Sequence, residues 1–110
     1  MDDYLQPADL LNRNLRELPE KDLFIENFGK VRIRALAGYN AMMAGDSNLA
    51  DTVVISITHG LIKPRLKPSM VKDFVDHNLA DSQFIAGEIG TLTREFNQFE
   101  NKVKKEAKKN

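Results

Sequence analysis

The stretch Asp22-Leu-Phe-Ile-Glu-Asn-Phe-Gly-Lys-Val-Arg-Ile-Arg-Ala-Leu36 decides the fold. Leu23 and Ile25 alternate with Phe24 and Glu26, and beyond "NFGK" the apolar Val31, Ile33 and Ala35 alternate with Arg32 and Arg34. Period-two alternation on both sides of a short polar break predicts a β-hairpin with one apolar face. Asn27 is a common turn starter, and Gly29 can take the positive φ that a short loop requires. Two strands alone are marginal in water, so the hairpin must lay that face on helices or on another chain. Arg32 and Arg34 would then lie on the solvated face, a commoner role for alternating arginines than an anion-binding edge.

Upstream, "QPADLLNRNLRELPEKD" reads as a short helix from Pro7 to about Leu18, with Leu10, Leu11 and Leu15 near helical spacing and Pro19 disfavouring its continuation. Downstream, Gly38, Gly45, Met42 and Met43 suggest an irregular approach to the next element. The segment from Asn48 to His59 reads as a helix capped by Asn48 or Ser47, with Ala50, Val53, Val54, Ile57 and Leu61 on one face and Gly60 at its end. Its centre, "TVVISIT", also has strong strand propensity, which context must overrule. Pro64 and Pro68 bracket a loop in which Leu66 anchors to the core. A short helix follows, presenting Met70, Val71, Phe74 and Val75, and Asp81 then caps a long one.

In that last helix Ile85, Ile89, Leu92, Phe96, Phe99 and Val103 recur at spacings of four, three, four, three and four. This is a heptad seam, and a helix carrying it outruns a small globule, so its far end is expected to project. Ile89, Leu92, Phe96, Phe99 and Val103 are the candidate partner-binding residues. The seam would serve either the body of the protein, for Ile85 and Ile89, or a partner or second copy of the chain, for Phe96, Phe99 and Val103.

The 110 residues suffice for one modest core, so a single domain over 1–101 with a basic tail at 102–110 is expected. A content of 42% hydrophobic and 29% charged residues is that of a folding chain rather than a disordered one. The net charge of zero conceals a body with fifteen acidic and eleven basic side chains and a tail with five lysines and one glutamate. Lysines complement the negative end of a helix dipole, and without stacking aromatics or arginines the tail is a poor nucleic-acid arm. Cysteine is absent, which excludes disulfides, thiolate metal sites and cysteine nucleophiles. No run reaches the ~20 apolar residues of a membrane span.

No phosphate loop, nucleophile elbow or zinc-protease motif occurs. Asp73 and His77, four apart with Asp76 adjacent, form the nearest approach to a metal or acid–base site. They fall short of the three or four ligands a metal needs, so neither an enzyme nor a cofactor is expected. The fold expected is α+β, mainly α: an N-terminal hairpin packed on a small set of helices, with a long C-terminal heptad-patterned helix.

The order "FGKVRIRALAG", "GLIKPRL" and "MVKDFVDHNLADSQFIAGEIGTL" resembles the tail assembly chaperones of long-tailed bacteriophages over about Leu23 to Leu92. The resemblance places Gly29 and Lys30 at the hairpin turn, Val31, Ile33, Ala35 and Leu36 on the second strand, Pro64 and Leu66 in the loop after the middle helix, and Ile85 and Ile89 on the last core helix. It implies a protein of the host bacterial cytoplasm that coats the helical, apolar tape measure protein and helps recruit tail tube protein subunits. It also implies a longer form made by a −1 ribosomal slip near the end of the frame, for which the lysine codons at 104–105 or 108–109 would be the site. Two other classes stand beside it: a generic helical adaptor or homo-oligomerisation module, and a nucleic-acid binder acting through the lysine tail.

Overall fold

The structure, a computed structural model, describes Tyr4, Gln6, Pro7 and residues 17–26 and 28–108, with side chains as far as Gln98. The helix expected over Pro7 to Leu18, Asn27 of the hairpin loop and the last two residues of the lysine tail lie mainly or wholly outside that set. Strands β1 (Glu20–Ile25) and β2 (Gly29–Arg34) form the antiparallel hairpin, with Ile25 opposite Gly29 and Leu23 opposite Val31. Gly29 has φ 121°, a conformation side chains rarely adopt. The backbone N–H of Phe28 donates to the carbonyl of Ile25 at 3.0 Å and closes the turn.

The chain then enters α1 (Gly38–Gly45), which replaces the irregular segment expected there. The glycines stand at its two ends, while its interior is tyrosine, asparagine, alanine and methionine, of which alanine and methionine are strong helix formers. Helix α2 (Leu49–Gly60) overrides the strand propensity of "TVVISIT". The Asn48 side chain accepts the Asp51 N–H at 2.9 Å and starts the helix. Its buried face is Val53, Ser56, Ile57 and Gly60, so Ala50, expected inside, is exposed. Leu61 is buried too, but as the first residue of β3 (Leu61–Lys63), a short strand that pairs antiparallel with β2 and completes a sheet of order β1-β2-β3.

Leu66 packs half-buried against the core, and Pro68 opens α3 (Pro68–His77). There Val71 is fully buried and Phe74 and Val75 are half-buried, whereas Met70, expected inside, faces solvent. The long helix α4 (Leu79–Lys108) begins before Asp81, which lies in its first turn instead of capping it. Ser82 is buried there and donates its hydroxyl to the Asn78 carbonyl at 2.7 Å.

The core sits where the apolar face of the sheet, α2 and α4 meet, around Ile33, Ile57, Ile85 and Ile89. The closest approach is at Gly60, where a Cβ would come within 2.7 and 2.8 Å of Ile89 Cγ2 and Cδ1 and 3.1 Å of the Arg34 carbonyl oxygen. Gly60 is therefore needed for proximity, in addition to ending the helix. Thr93 makes the second joint: its hydroxyl accepts the Leu36 N–H at 2.9 Å and donates to the Ile89 carbonyl at 2.7 Å, inside the protein. At the surface, Lys21 pairs with Glu88 at 3.4 Å and ties β1 to α4. At the hairpin tip, Phe28 meets Phe74 edge-on, ring centres 6.2 Å apart.

The fold is α+β and mainly helical, with the hairpin and the long C-terminal helix as its two ends. Its longest dimension is 61 Å against 25 and 24 Å for the others, and its radius of gyration is 16.8 Å. A compact chain of this size would have about 13 Å. Helix α4 by itself is about 45 Å long at ~1.5 Å per residue. Thr93 is its last buried residue among the described side chains, and it continues to Lys108.

Candidate functional site

Helix α4 turns three faces to its surroundings. Ser82, Ile85 and Ile89 enter the core, with Leu92 half-buried beside them. Glu88 lies on the flank that meets β1. The opposite flank carries Gln83, Ala86, Gly87, Gly90, Arg94 and Asn97, nearly all small or uncharged. Across from it α1 contributes Ala41, Ala44 and Gly45, and α2 contributes Leu49, Thr52, Val53 and Ser56. Between these three helices runs an open groove of about 520 Å³. From Gln83 to Asn97 it follows about four turns of α4, or about 21 Å.

The groove is wide because its walls are short side chains. Its polar atoms are largely committed to the fold. The Thr52 hydroxyl donates to the Ala44 carbonyl at 2.6 Å, tying α1 to α2, and the Thr93 hydroxyl joins the segment after β2 to α4 as described above. Among the described lining residues Arg94 is the single ionisable one, and it donates to the Thr91 hydroxyl at 3.2 Å. A small polar ligand would find few groups to orient it, whereas an apolar helix face needs only shape and area. Leu49, in the lining, is 68% exposed and supplies apolar area, whereas Tyr39 and Met42, each 75% exposed, line a separate recess of α1 with Met43, Gly45 and Asp46.

The seam residues expected to bind a partner divide. Ile89 is fully buried against Gly60 and has no surface to offer a partner, because the small neighbours that bring α2 close to α4 enclose it. Leu92 packs partly against the core, and Phe96 is half-buried further along the helix. Phe99 and Val103 are on α4, with side chains outside the described set. Gly29 shapes the hairpin turn and lies away from the groove lining. Sequence reasoning missed the groove itself. Its signal was the run of small residues Ala86, Gly87 and Gly90, which the heptad pattern passes over because they fall on another face.

The remaining candidates are structural. The Arg32 Nε donates to Asp22 at 2.8 Å, and a second guanidinium nitrogen reaches Glu20 at 3.3 Å. The hydrogen bond from Arg32 holds the Asp22 carboxyl below its usual pKa, and those carboxylates raise Arg32 further. Arg32 is thus neutralised within the sheet. The Arg34 Nε is buried without a hydrogen-bond partner among the described residues, in a recess also lined by Glu17 and Glu20, whose carboxylates would repel an anion. The His77 ring meets the Asp73 backbone carbonyl at 2.8 Å rather than its carboxylate. Among the described residues no three His, Asp or Glu side chains gather as a metal site would require, and no helix is long and apolar enough to cross a membrane.

Compared with family models, curated proteins and solved structures, the chain finds no match.

Proposed function

We propose that this protein is a tail assembly chaperone of a long-tailed bacteriophage, working in the host bacterial cytoplasm by holding amphipathic helices of the tape measure protein. The observation that supports the reading is the groove between α1, α2 and α4, which is about 21 Å long at ~1.5 Å per residue along α4 and is walled by small side chains. A tape measure helix would insert apolar side chains at i, i+3, i+4 and i+7 between Ala44 and Gly87. Burying that stripe removes the surface through which such helices aggregate, at about 25 cal/mol per Å² of apolar area. No reaction is needed, and no cofactor takes part. Recruitment of tail tube protein falls to the distal part of α4 or to a longer, frameshifted form of the chain.

The test is co-expression with the product of an adjacent reading frame that encodes a very long helical protein. That product should stay in the supernatant with the wild-type chain and pellet with Gly87→Leu, whose side chain would fill a groove that is open at that point, since a Cβ at Gly87 meets nothing within 4 Å. If no such reading frame adjoins, or if both chains solubilise the product equally, the reading fails. A general helical adaptor would retain unrelated amphipathic helices just as well.

A further inference from the structure

Midway along α4 the groove carries a cation. We infer that Arg94 sets which helices the groove accepts: the occupant bears one aspartate or glutamate within its apolar stripe, placed to pair with this guanidinium. This rests on the reading of the groove as a site for amphipathic helices and names the kind of helix it takes.

Three observations carry it. The first is position. The lining runs along α4 from Gln83 to Asn97, and Gly90 stands midway. A Cβ at Gly90 would lie 3.4 Å from Arg94 Nη1, so the guanidinium lies back over the bare backbone of that glycine, toward the helix N-terminus. The second is anchorage. Arg94 Nη2 donates to the Thr91 hydroxyl at 3.2 Å, and that hydroxyl donates in turn to the carbonyl of Gly87, another lining residue, at 3.1 Å. The third is the missing counter-charge. Among the described residues no carboxylate pairs with Arg94: the ion pairs join Lys21 to Glu88 and Arg32 to Glu20 and Asp22.

The consequence is selection. Of its five N–H donors Arg94 gives one to Thr91, and the exposed side chain leaves the others to solvent while the groove is open. A helix laid over Gly90 removes that solvent. A purely apolar stripe would then cover a charge without partners, which is costly, whereas one carboxylate accepts two parallel N–H bonds from the guanidinium fork. A lysine or arginine at the same place in the occupant is rejected by repulsion. Apolar area supplies the affinity, and the ion pair fixes the register by holding the partner's carboxylate opposite Gly90.

The test uses the full-length protein and three synthetic helical peptides of about 18 residues, enough to overrun the groove at ~1.5 Å per residue. They share an alanine- and lysine-based frame with one leucine stripe. The first has a glutamate at the centre of the stripe, the second a glutamine there, and the third that glutamine plus a glutamate on the opposite face. In isothermal titration the wild-type chain should bind the first about tenfold more tightly than the other two, the effect of one hydrogen bond to a charged group. Arg94→Met keeps a long, flexible side chain without the charge and should bring the first peptide down to the level of the others. Equal binding of all three by the wild type, as when the guanidinium swings out to solvent, would overturn selection by Arg94 and leave the groove as a helix site. So would a preference that survives in Arg94→Met. Binding of none of the peptides would overturn the helix groove itself, and the role of Arg94 with it.

Discussion

Replacing Gly60 and Gly87 by alanine, one at a time, should move stability in opposite directions. Both are helical glycines, and helix propensity by itself favours alanine by about 1 kcal/mol in a helix interior. At Gly87 nothing lies within 4 Å of the added methyl, so the full gain should appear. At Gly60 the methyl would stand 2.7 and 2.8 Å from two carbons of Ile89, where contact between carbons is comfortable at about 3.5–4.0 Å. Ile89 is fully buried and has little room to rotate, and the third neighbour, at 3.1 Å, is the backbone oxygen of Arg34. Helices α2 and α4 must separate, at the cost of overpacking, about 1–3 kcal/mol. Gly60 ends its helix, so the compensating propensity gain is smaller there. Urea unfolding followed by circular dichroism should show the midpoint falling by about 1 M for Gly60→Ala and rising by about 0.5 M for Gly87→Ala, with slopes unchanged. If both midpoints rise together, α2 does not approach α4 as described and the core geometry is wrong.

Thr93→Val keeps the shape of the side chain but leaves the Leu36 N–H without its acceptor inside the protein. It should cost about 1–3 kcal/mol, and hydrogen exchange at the Leu36 amide should accelerate more than the global loss explains. Gly29→Val puts a β-branched residue at φ 121° and should lower stability by about 1–3 kcal/mol in the same unfolding assay. Asn48→Ala removes the cap of α2 and should cost about 0.5–2 kcal/mol by thermal unfolding. Asp22 has its carboxyl pKa lowered in the folded state by the hydrogen bond from Arg32. Its contribution is therefore present above the unfolded aspartate pKa and is lost as pH falls through the lower folded value. The stability difference between the wild type and Asp22→Asn, small because the pair is exposed, should be visible at neutral pH and vanish in strong acid.

The sequence revealed those parts of the fold where one physical signal dominates. The hairpin was legible because Leu23, Ile25 and Ile33 alternate without interruption and Gly29 stands where the turn needs it. Helix α2 was readable through Asn48, although its β-branched centre argued for a strand; burial of Val53, Ser56, Ile57 and Gly60 on one helical face decided it. Strand β3 was not legible, because Leu61–Lys63 is too short to display a period and forms only by pairing with β2. Helix α1 was hidden by the glycines at its ends, which read as breakers. The heptad seam drew attention to Ile89, which is core, and away from the adjoining flank of α4. Alanine and glycine carry little hydrophobic signal there, and their importance lies in the space they leave beside α1 and α2.

The most direct test of the account is a titration of isotopically labelled chain with an amphipathic helical segment of the proposed tape measure partner, read residue by residue from amide chemical shifts. Saturable shifts at Ala44, Val53, Ser56, Ala86, Gly87 and Gly90, abolished by Gly87→Leu and little weakened by added salt, are predicted for a helix held by apolar area in the groove. Shifts confined to the outer face of the sheet or to the lysine tail, or binding that disappears with salt, would contradict it.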